Sequence, residues 1–281
     1  MPVVNRAPLN IDKGPHAENL REENMSIPAV LGGSNREEGR YTVSVARDED
    51  TIHEAQQLRY LIFNQELKSR YDAEEGREAD GFDRHCDHVV VRRTDTGELV
   101  GTHRLLPPEG ARQIGGLTAE AVFDLGPHQA LRPALVELTR ACVHPDHRAG
   151  PVITMLWAGV MRYMTRRRHA WVSGRLTLPL FDGGAQAAAC WDHVLAGGHF
   201  APDRYHVRPH TPWNPAAIER SPGLGIPPKF RGYLLAGAWV CSEFAYDSQH
   251  DEASLYLLLS LENVNRHRRE FLLSLGENLA R

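Results

Sequence analysis

Glu137 and Arg140 stand where a chain would ordinarily place core residues. They interrupt the apolar run in "ELTRACVHPDHR", residues 137–148, which otherwise reads as a buried strand followed by a turn. A buried carboxylate and guanidinium each need a partner. Residues three apart on a regular strand point to opposite faces. A β-bulge would bring the two to one side, splay the sheet edge and free backbone N–H and C=O groups for a ligand. The plainer reading is a structural ion pair. Asp80 and Asp83 in "DGFDR" are a second candidate: such a pair can hold an ammonium or order a guanidinium, or be a solvated acidic turn. Arg104 in "VGTHRLL" has apolar alternate neighbours and needs a partner or an exit to water. Arg59 and Phe63 lie one helical turn apart and share a face. Arg59 either enters a site there or snorkels past the core to solvent. The loop "VHPDHRAG" enters a helix start, where free N–H groups suit anionic oxygens; an ordinary basic turn reads the same way.

Other chemistries lack their motifs. The chain holds 15 His, but "RHCDH" and "HPDH" have neither zinc-knuckle nor HExxH spacing, so no functional metal is expected. Walker A, GxGxxG and GxSxG patterns are absent. Cys86, Cys142, Cys190 and Cys241 form no CxxC, which favours a reducing cytoplasm. A formal net charge of −4 gives no general attraction to nucleic acid. The N-terminus lacks a signal-peptide pattern, and no apolar run approaches the roughly 20 residues of a spanning helix.

The elements that must position these residues follow from periodicity. Residues 1–39 are rich in Pro, Asn, Glu and Gly and are expected to be a disordered arm. "RYTVSVAR" alternates as a half-buried strand. "DEDTIHEAQQLRYLIFNQEL" reads as one capped helix and "KSRYDAEEGREADGFDRH" as a loop. Two strands flank Asp95-Thr96-Gly97 as a hairpin. A strand over 134–143, a helix over 151–168 with Pro151 in its first turn, and the strand "AWVSGRLTL" follow. Beyond about residue 182 the pattern loosens into an irregular elaboration. It contains a helix at "AQAAACWDHVLAG", strands at "FRGYLLAGAWVCSEFAYD" and "SLYLLLSL", and a terminal polar helix. The order is that of a layered α/β domain over 40–281 with an antiparallel meander.

Taken together, the order and spacing of Arg59 with Phe63, Asp80 with Asp83, Arg104, Phe123 and Glu137 with Arg140 resembles the pattern of acyl-homoserine lactone synthases. The wider text, "AQQLRYLIFNQEL", "DGFDRHCDHVVV", "GELVGTHRLL", "ELTRACVHPDHR" and "PPKFRGYLLAGAWVCSEFAYD", is more similar to the ornithine-lipid N-acyltransferases, often labelled hemolysin-like, and to long-chain N-acyl amino acid synthases. The resemblance covers about residues 41–265. It implies a GNAT-like (acyl-CoA N-acyltransferase) fold, a mixed central sheet flanked by helices with a C-terminal extension. It implies transfer of a long, 3-hydroxy or plain, fatty acyl chain from the phosphopantetheine of acyl carrier protein to the α-amine of an amino acid, ornithine foremost, with no tightly bound cofactor. In that reading Glu137 and Arg140 are catalytic. Arg59, Phe63, Asp80, Asp83, Arg104 and Phe123 bind substrate, while Ala141, Cys142, Val143 and Arg148 meet the pantetheine. The protein would work in the cytoplasm, with peripheral contact to the inner face of the plasma membrane.

Two departures bear on the donor and product. Residues 64–70 lack the Trp of lactone synthases, which argues against a lactone product. "DHRAGPVI" lacks the full Arg/Gln-x-x-Gly-x-Gly/Ala phosphate loop, which favours a carrier-protein donor over coenzyme A. Arg175, in "SGRLTLPLFDGG", stands where relatives tend to carry small residues, a place where acceptor identity could change. A lactone synthase, a coenzyme A-dependent acetyltransferase and a non-catalytic acyl-binding or lytic protein remain the alternatives.

Overall fold

A computed structural model describes residues 40–66, 73–148, 151–221 and 223–275. The expected arm, residues 1–39, lies outside the described residues, as do residues 67–72 and 149–150.

The alternation of Tyr41, Val43 and Val45 builds strand β1 (Tyr41–Val45). Helix α1 (Glu49–Arg59) starts at Asp48, whose side chain accepts from the Thr51 N–H at 2.8 Å, with Glu49 and Asp50 in its first turn. The regular helix expected through residue 67 stops at Arg59. Residues 60–66 wind instead as a π-helix, an uncommon geometry that clusters at functional sites. In this wider turn the Phe63 ring comes under the Arg140 guanidinium, 5.9 Å from ring centre to Cζ.

The hairpin appears as β4 (Asp87–Arg93) and β5 (Leu99–Leu106), with Gly97 at φ +74° supplying the left-handed turn residue. The loop before it folds back as the short pair β2 (Ala73–Glu74) and β3 (Arg77–Glu78), then a 3₁₀ turn over Asp83–His85. Helix α2 (Pro108–Ile114) packs so closely on that turn that a Cβ at Gly110 would lie 2.0 Å from the His85 carbonyl oxygen. Strand β7 (Leu135–Val143), helix α3 (Val152–Arg167) and strand β8 (Trp171–Pro179) make the crossover unit. Helix α4 (Ala185–Gly197) follows.

One expected strand is wrong. Within "FRGYLLAGAWVCSEFAYD" the first part is helix α5 (Pro228–Leu235); only β11 (Trp239–Val240) and β12 (Phe244–Asp247) are strands. A proline at the first helical position pre-sets the helical φ and starts α5, and Gly237 at φ +91° lets the chain turn away from it. Strand β13 (Glu252–Ser260) and helix α6 (Arg266–Ser274) close the fold.

The main sheet runs β1-β4-β5-β7-β8-β13-β12-β10, where β10 is Pro212–Trp213, with β11 also paired to β13. Every neighbouring pair is antiparallel except β7 with β8. Strand alternation divides the sheet chemically. One face carries Val89, Val91, Leu105, Val136, Leu138, Val172, Leu255 and Leu257. These join Leu156, Val160 and Met164 of α3, Phe230 and Tyr233 of α5 and Leu272 of α6 in the largest core cluster. The other face carries His88, Arg104, Glu137, Thr139, Ser173 and Arg175, as the register requires. Apolar clusters flank that polar centre: Val90, Leu99 and Cys142 under α1 on one side, and Leu106, Leu135, Tyr256 and Leu258 on the other.

Candidate active site

Three arginines and three carboxylates meet on the polar face. Arg59, fully buried at the end of α1, donates from Nε to Glu78 Oε2 at 2.6 Å and from Nη1 to Asp83 Oδ1 at 2.6 Å. Arg104 on β5 donates to Asp80 at 2.6 Å, to Asp83 at 3.0 Å and to the Thr139 hydroxyl at 2.9 Å. Arg140 donates to Glu78 at 2.8 Å and to Asp80 at 3.4 Å. Burial works against the charge on Asp83, but the Arg59 hydrogen bonds and the charges of Arg59 and Arg104 win and hold its carboxyl well below the usual range. Burial also opposes charge on Arg104, and Asp80 and Asp83 more than offset it. Beside them His88 lies 3.6 Å from Asp83, and burial pushes it down to about 4. Of the residues singled out from sequence, this network joins Arg59, Asp80, Asp83, Arg104 and Arg140. It adds Glu78, which sequence spacing did not mark although "READGFD" sets it two residues before Asp80.

Glu137 stands apart from Arg140. Its carboxylate is fully buried and accepts from the Thr118 N–H at 2.7 Å and the Ala119 N–H at 2.9 Å, at the start of a 3₁₀ helix over Thr118–Ala121. Burial raises its affinity for a proton; the two N–H donors and the charge of Arg175 oppose that rise. The spare lone pair on each oxygen leaves it able to accept one more donor.

The bulge between Glu137 and the end of β7 is present. Arg104 faces Thr139 and Thr102 faces Cys142, two steps on β5 against three on β7, with Arg140 at φ +54°. On its other side β7 pairs with β8 only from Leu135–Trp171 to Leu138–Gly174. Beyond that fork, residues 139–143 and 175–179 have no strand between them. Ala141, Cys142 and Val143 belong to the β7 wall of the fork. Cys142 is buried among the α1 cluster, and Arg148 donates to the Val143 carbonyl at 3.3 Å. The Tyr233 hydroxyl of α5 and the Leu138 carbonyl oxygen lie beside Gly174 at the fork, 3.4 and 3.3 Å from where a Cβ would be. Tyr233 lies on a helix where the sequence pattern suggests a strand, so its spacing does not mark it. Phe63 and Phe123 fall into different clusters: Phe63 by α1 and Arg140, Phe123 against Tyr256 with ring centres 5.8 Å apart. Burial pushes the thiols of Cys86 and Cys142 up to about 12, so neither is poised as a thiolate.

On the β8 wall, Arg175 and Glu252 are charged and make no hydrogen bond or ion pair among the described residues. Arg175 is half-buried and Glu252, opposite Pro179 at the start of β13, is 8% exposed.

A mixed sheet opened at one parallel pair, with helices on both faces and a polar centre beside the opening, defines an acyltransferase of the GNAT class. Residues 58–158 match the acetyltransferase (GNAT) domain model. The chain is 30% identical to an L-ornithine N(alpha)-acyltransferase of Rhodobacter capsulatus over 246 residues, 82% of this chain and 94% of that one. It is 30% identical to the enzyme of the same name from Brucella abortus over 247 residues, 81% and 86% of the two chains. A coenzyme A-dependent acyl-homoserine lactone synthase solved with SAM and isopentyl-CoA is similar in structure, with a TM-score of 0.49 and 17% identity over 83% of this chain and 87% of that one. The chain belongs to the family of the L-ornithine N(alpha)-acyltransferases. Among the described residues no helix is long and apolar enough to cross a membrane.

Proposed function

We propose that this acyltransferase moves a long fatty acyl chain, 3-hydroxylated or plain, from the phosphopantetheine thioester of acyl carrier protein to the α-amine of L-ornithine, giving a lyso-ornithine lipid. The observation that carries the reading is the fork between β7 and β8 beside buried Glu137, in a chain whose relatives bear that acceptor in their name. The open strand edges suit the amides of a pantetheine arm, and the absence of a complete phosphate loop in "DHRAGPVI" favours a carrier-protein donor.

In this mechanism the neutral α-amine attacks the thioester carbonyl, forming the C–N bond and a tetrahedral oxyanion. Backbone N–H groups of β7 around Ala141–Val143 stabilise that oxyanion. Glu137 takes the amine proton through one water, as its burial-raised proton affinity suits. Collapse expels the thiolate, which receives the proton and leaves as the carrier's free thiol. The arginine–carboxylate network holds β7 and the 80–85 loop in position, and Phe63 with the apolar cluster under α1 meets the acyl chain. Arg166 and Arg167 in the last turn of α3, with Arg168 at its C-cap, offer a basic surface to an acidic carrier or to anionic lipid heads.

Glu137→Gln tests the base role. Turnover with acyl-carrier donor should fall roughly 100-fold or more, while the apparent Michaelis constant for the carrier changes little. The variant also gives one backbone N–H an amide NH₂ to face, so its melting temperature must be measured alongside. Full turnover in a folded Gln variant removes Glu137 from the chemistry.

A further inference from the structure

The reading of this protein as an amino-acid acyltransferase leaves open how the acceptor is chosen, and the ribbon of β8 and β13 carries an arrangement that addresses it. Arg175 is the first residue of β8 beyond the fork. It shares its face with Ser173, the register partner of Glu137. Glu137 and Glu252 both lie near enough to feel its charge. Arg140 spends its guanidinium on Glu78 and Asp80; Arg175 has no such carboxylate in contact among the described residues.

Glu252 lies on the same face as Ser254 and Tyr256, and Tyr256 is the register partner of Arg175. Glu252 as a residue is 8% exposed, and its carboxylate has no hydrogen-bond partner among the described residues. Burial raises its proton affinity, while the charges of His250, Arg175 and Arg140 pull the other way and Asp247 adds to the rise. A buried carboxylate with no contact partner is costly, and a ligand ammonium would relieve that cost. Between the two charged ends Thr177 and Ser254 meet hydroxyl to hydroxyl at 3.0 Å, a neutral middle. Arg175 and Glu252 stand four positions apart along the ribbon, about 13 Å between backbones, a gap that a long arginine side chain narrows.

This sequence of cation, hydroxyls and anion is the complement of an amino acid with a second amine at its far end. The α-amine must reach the thioester at the fork, so the α-carboxylate belongs at the Arg175 end and the terminal ammonium at the Glu252 end. We infer that Arg175 binds the acceptor's α-carboxylate and that Glu252 reads its terminal ammonium, making this pair the specificity determinant for a diamino acid.

The test uses the full chain with palmitoyl–acyl carrier protein and follows thiol release with ornithine, lysine, glutamine and norvaline, the last being ornithine without its terminal amine. The wild type should prefer ornithine to norvaline at least 100-fold in kcat/KM. Glu252→Gln should raise KM for ornithine at least 10-fold with kcat within threefold, and leave norvaline and glutamine unchanged or improved. Arg175→Gln should raise KM for every free amino acid but cost nothing further with ornithine carboxamide. Turnover of norvaline by Glu252→Gln is the internal check on folding; should that variant not fold, the wild-type ratio alone decides. An ornithine-to-norvaline ratio near one, or a ratio unmoved by Glu252→Gln, overturns the inference while leaving the acyltransferase reading standing. No acylation of any amino acid by the wild type overturns that reading and this inference with it.

Discussion

Two charged regions occupy one side of the same sheet and are built on opposite terms. Around Arg59, Arg104 and Arg140 every cation has at least one carboxylate within hydrogen-bonding distance, and three positive charges meet three negative ones. A few residues away, Arg175 and Glu252 face the same side and make no hydrogen bond or ion pair among the described residues. The first region is a closed electrostatic unit whose own members satisfy it, as a scaffold requires. The second has no contact ion pair among the described residues and, in the acceptor reading, is the one with affinity left for a charged ligand. Charged residues in a cleft are thus not equal candidates for substrate contact; the saturated ones hold position, and the unsaturated ones recognise.

The sharpest way to break this contrast is to open the closed region. Arg59→Met leaves Glu78 and Asp83 buried and undercompensated and should cost about 3–5 kcal/mol of stability, read as a lower urea midpoint. A loss below about 1 kcal/mol would mean that the network contributes nothing to holding the site. Acid should act through the histidines before it reaches the carboxylates. Burial pushes His88 down to about 4 and His103 to about 3. From the ordinary histidine value near 6.5 down to those values the unfolded chain binds protons that the folded chain refuses. Stability should therefore fall as pH drops through that window, by about 1.4 kcal/mol per pH unit per histidine. The contribution of Asp83 is fully present above about pH 3.9 and is lost only as pH falls through its depressed value. Urea unfolding at pH 7 and pH 5 checks this: His88→Gln and His103→Gln should each flatten the slope, and a slope unchanged in both would refute the assignment.

A smaller effect sharpens the role of packing. Gly110→Ala forces a methyl against the His85 carbonyl, displaces the turn bearing Asp83, and should cost about 1–3 kcal/mol. Smallest of all, Arg266→Ala removes the exposed ion pair with Glu270 on α6 and should change stability by less than about 0.5 kcal/mol. A larger change there would erase the distinction between buried and exposed pairs.

Much of the fold was legible because it is written in local periodicity. The alternation at β1, the Asp95–Gly97 turn and the Gly-bounded helix α4 all announce themselves within a dozen residues. The π-helical winding after Arg59 does not, since an apolar stripe through Leu58 and Ile62 continues equally well as an α-helix. Helix α5 was lost because Phe230, Tyr233 and Leu234 read as a strand; the paired prolines before them were the signal for a helix start. In the site, the arginines and aspartates stood out because each is out of place in its own element. Glu78 did not, because a carboxylate in a polar loop looks solvated until the chain folds it onto Arg59. The lack of contact between Glu137 and Arg140 depends on Thr118 and Ala119, nearly twenty residues away, whose amides no spacing rule connects to Glu137.

The parallel pair at the fork also divides the sheet by sequence. Residues 41–143 supply β1, β4, β5 and β7, and residues 171–260 supply β8, β13, β12 and β10, so each half of the main sheet is drawn from one continuous stretch of chain. Only the four-position seam from Leu135–Trp171 to Leu138–Gly174 stitches the strands of one half to those of the other. Amides of that seam should exchange hydrogen earlier than those at the centre of either half, which native-state hydrogen exchange would read.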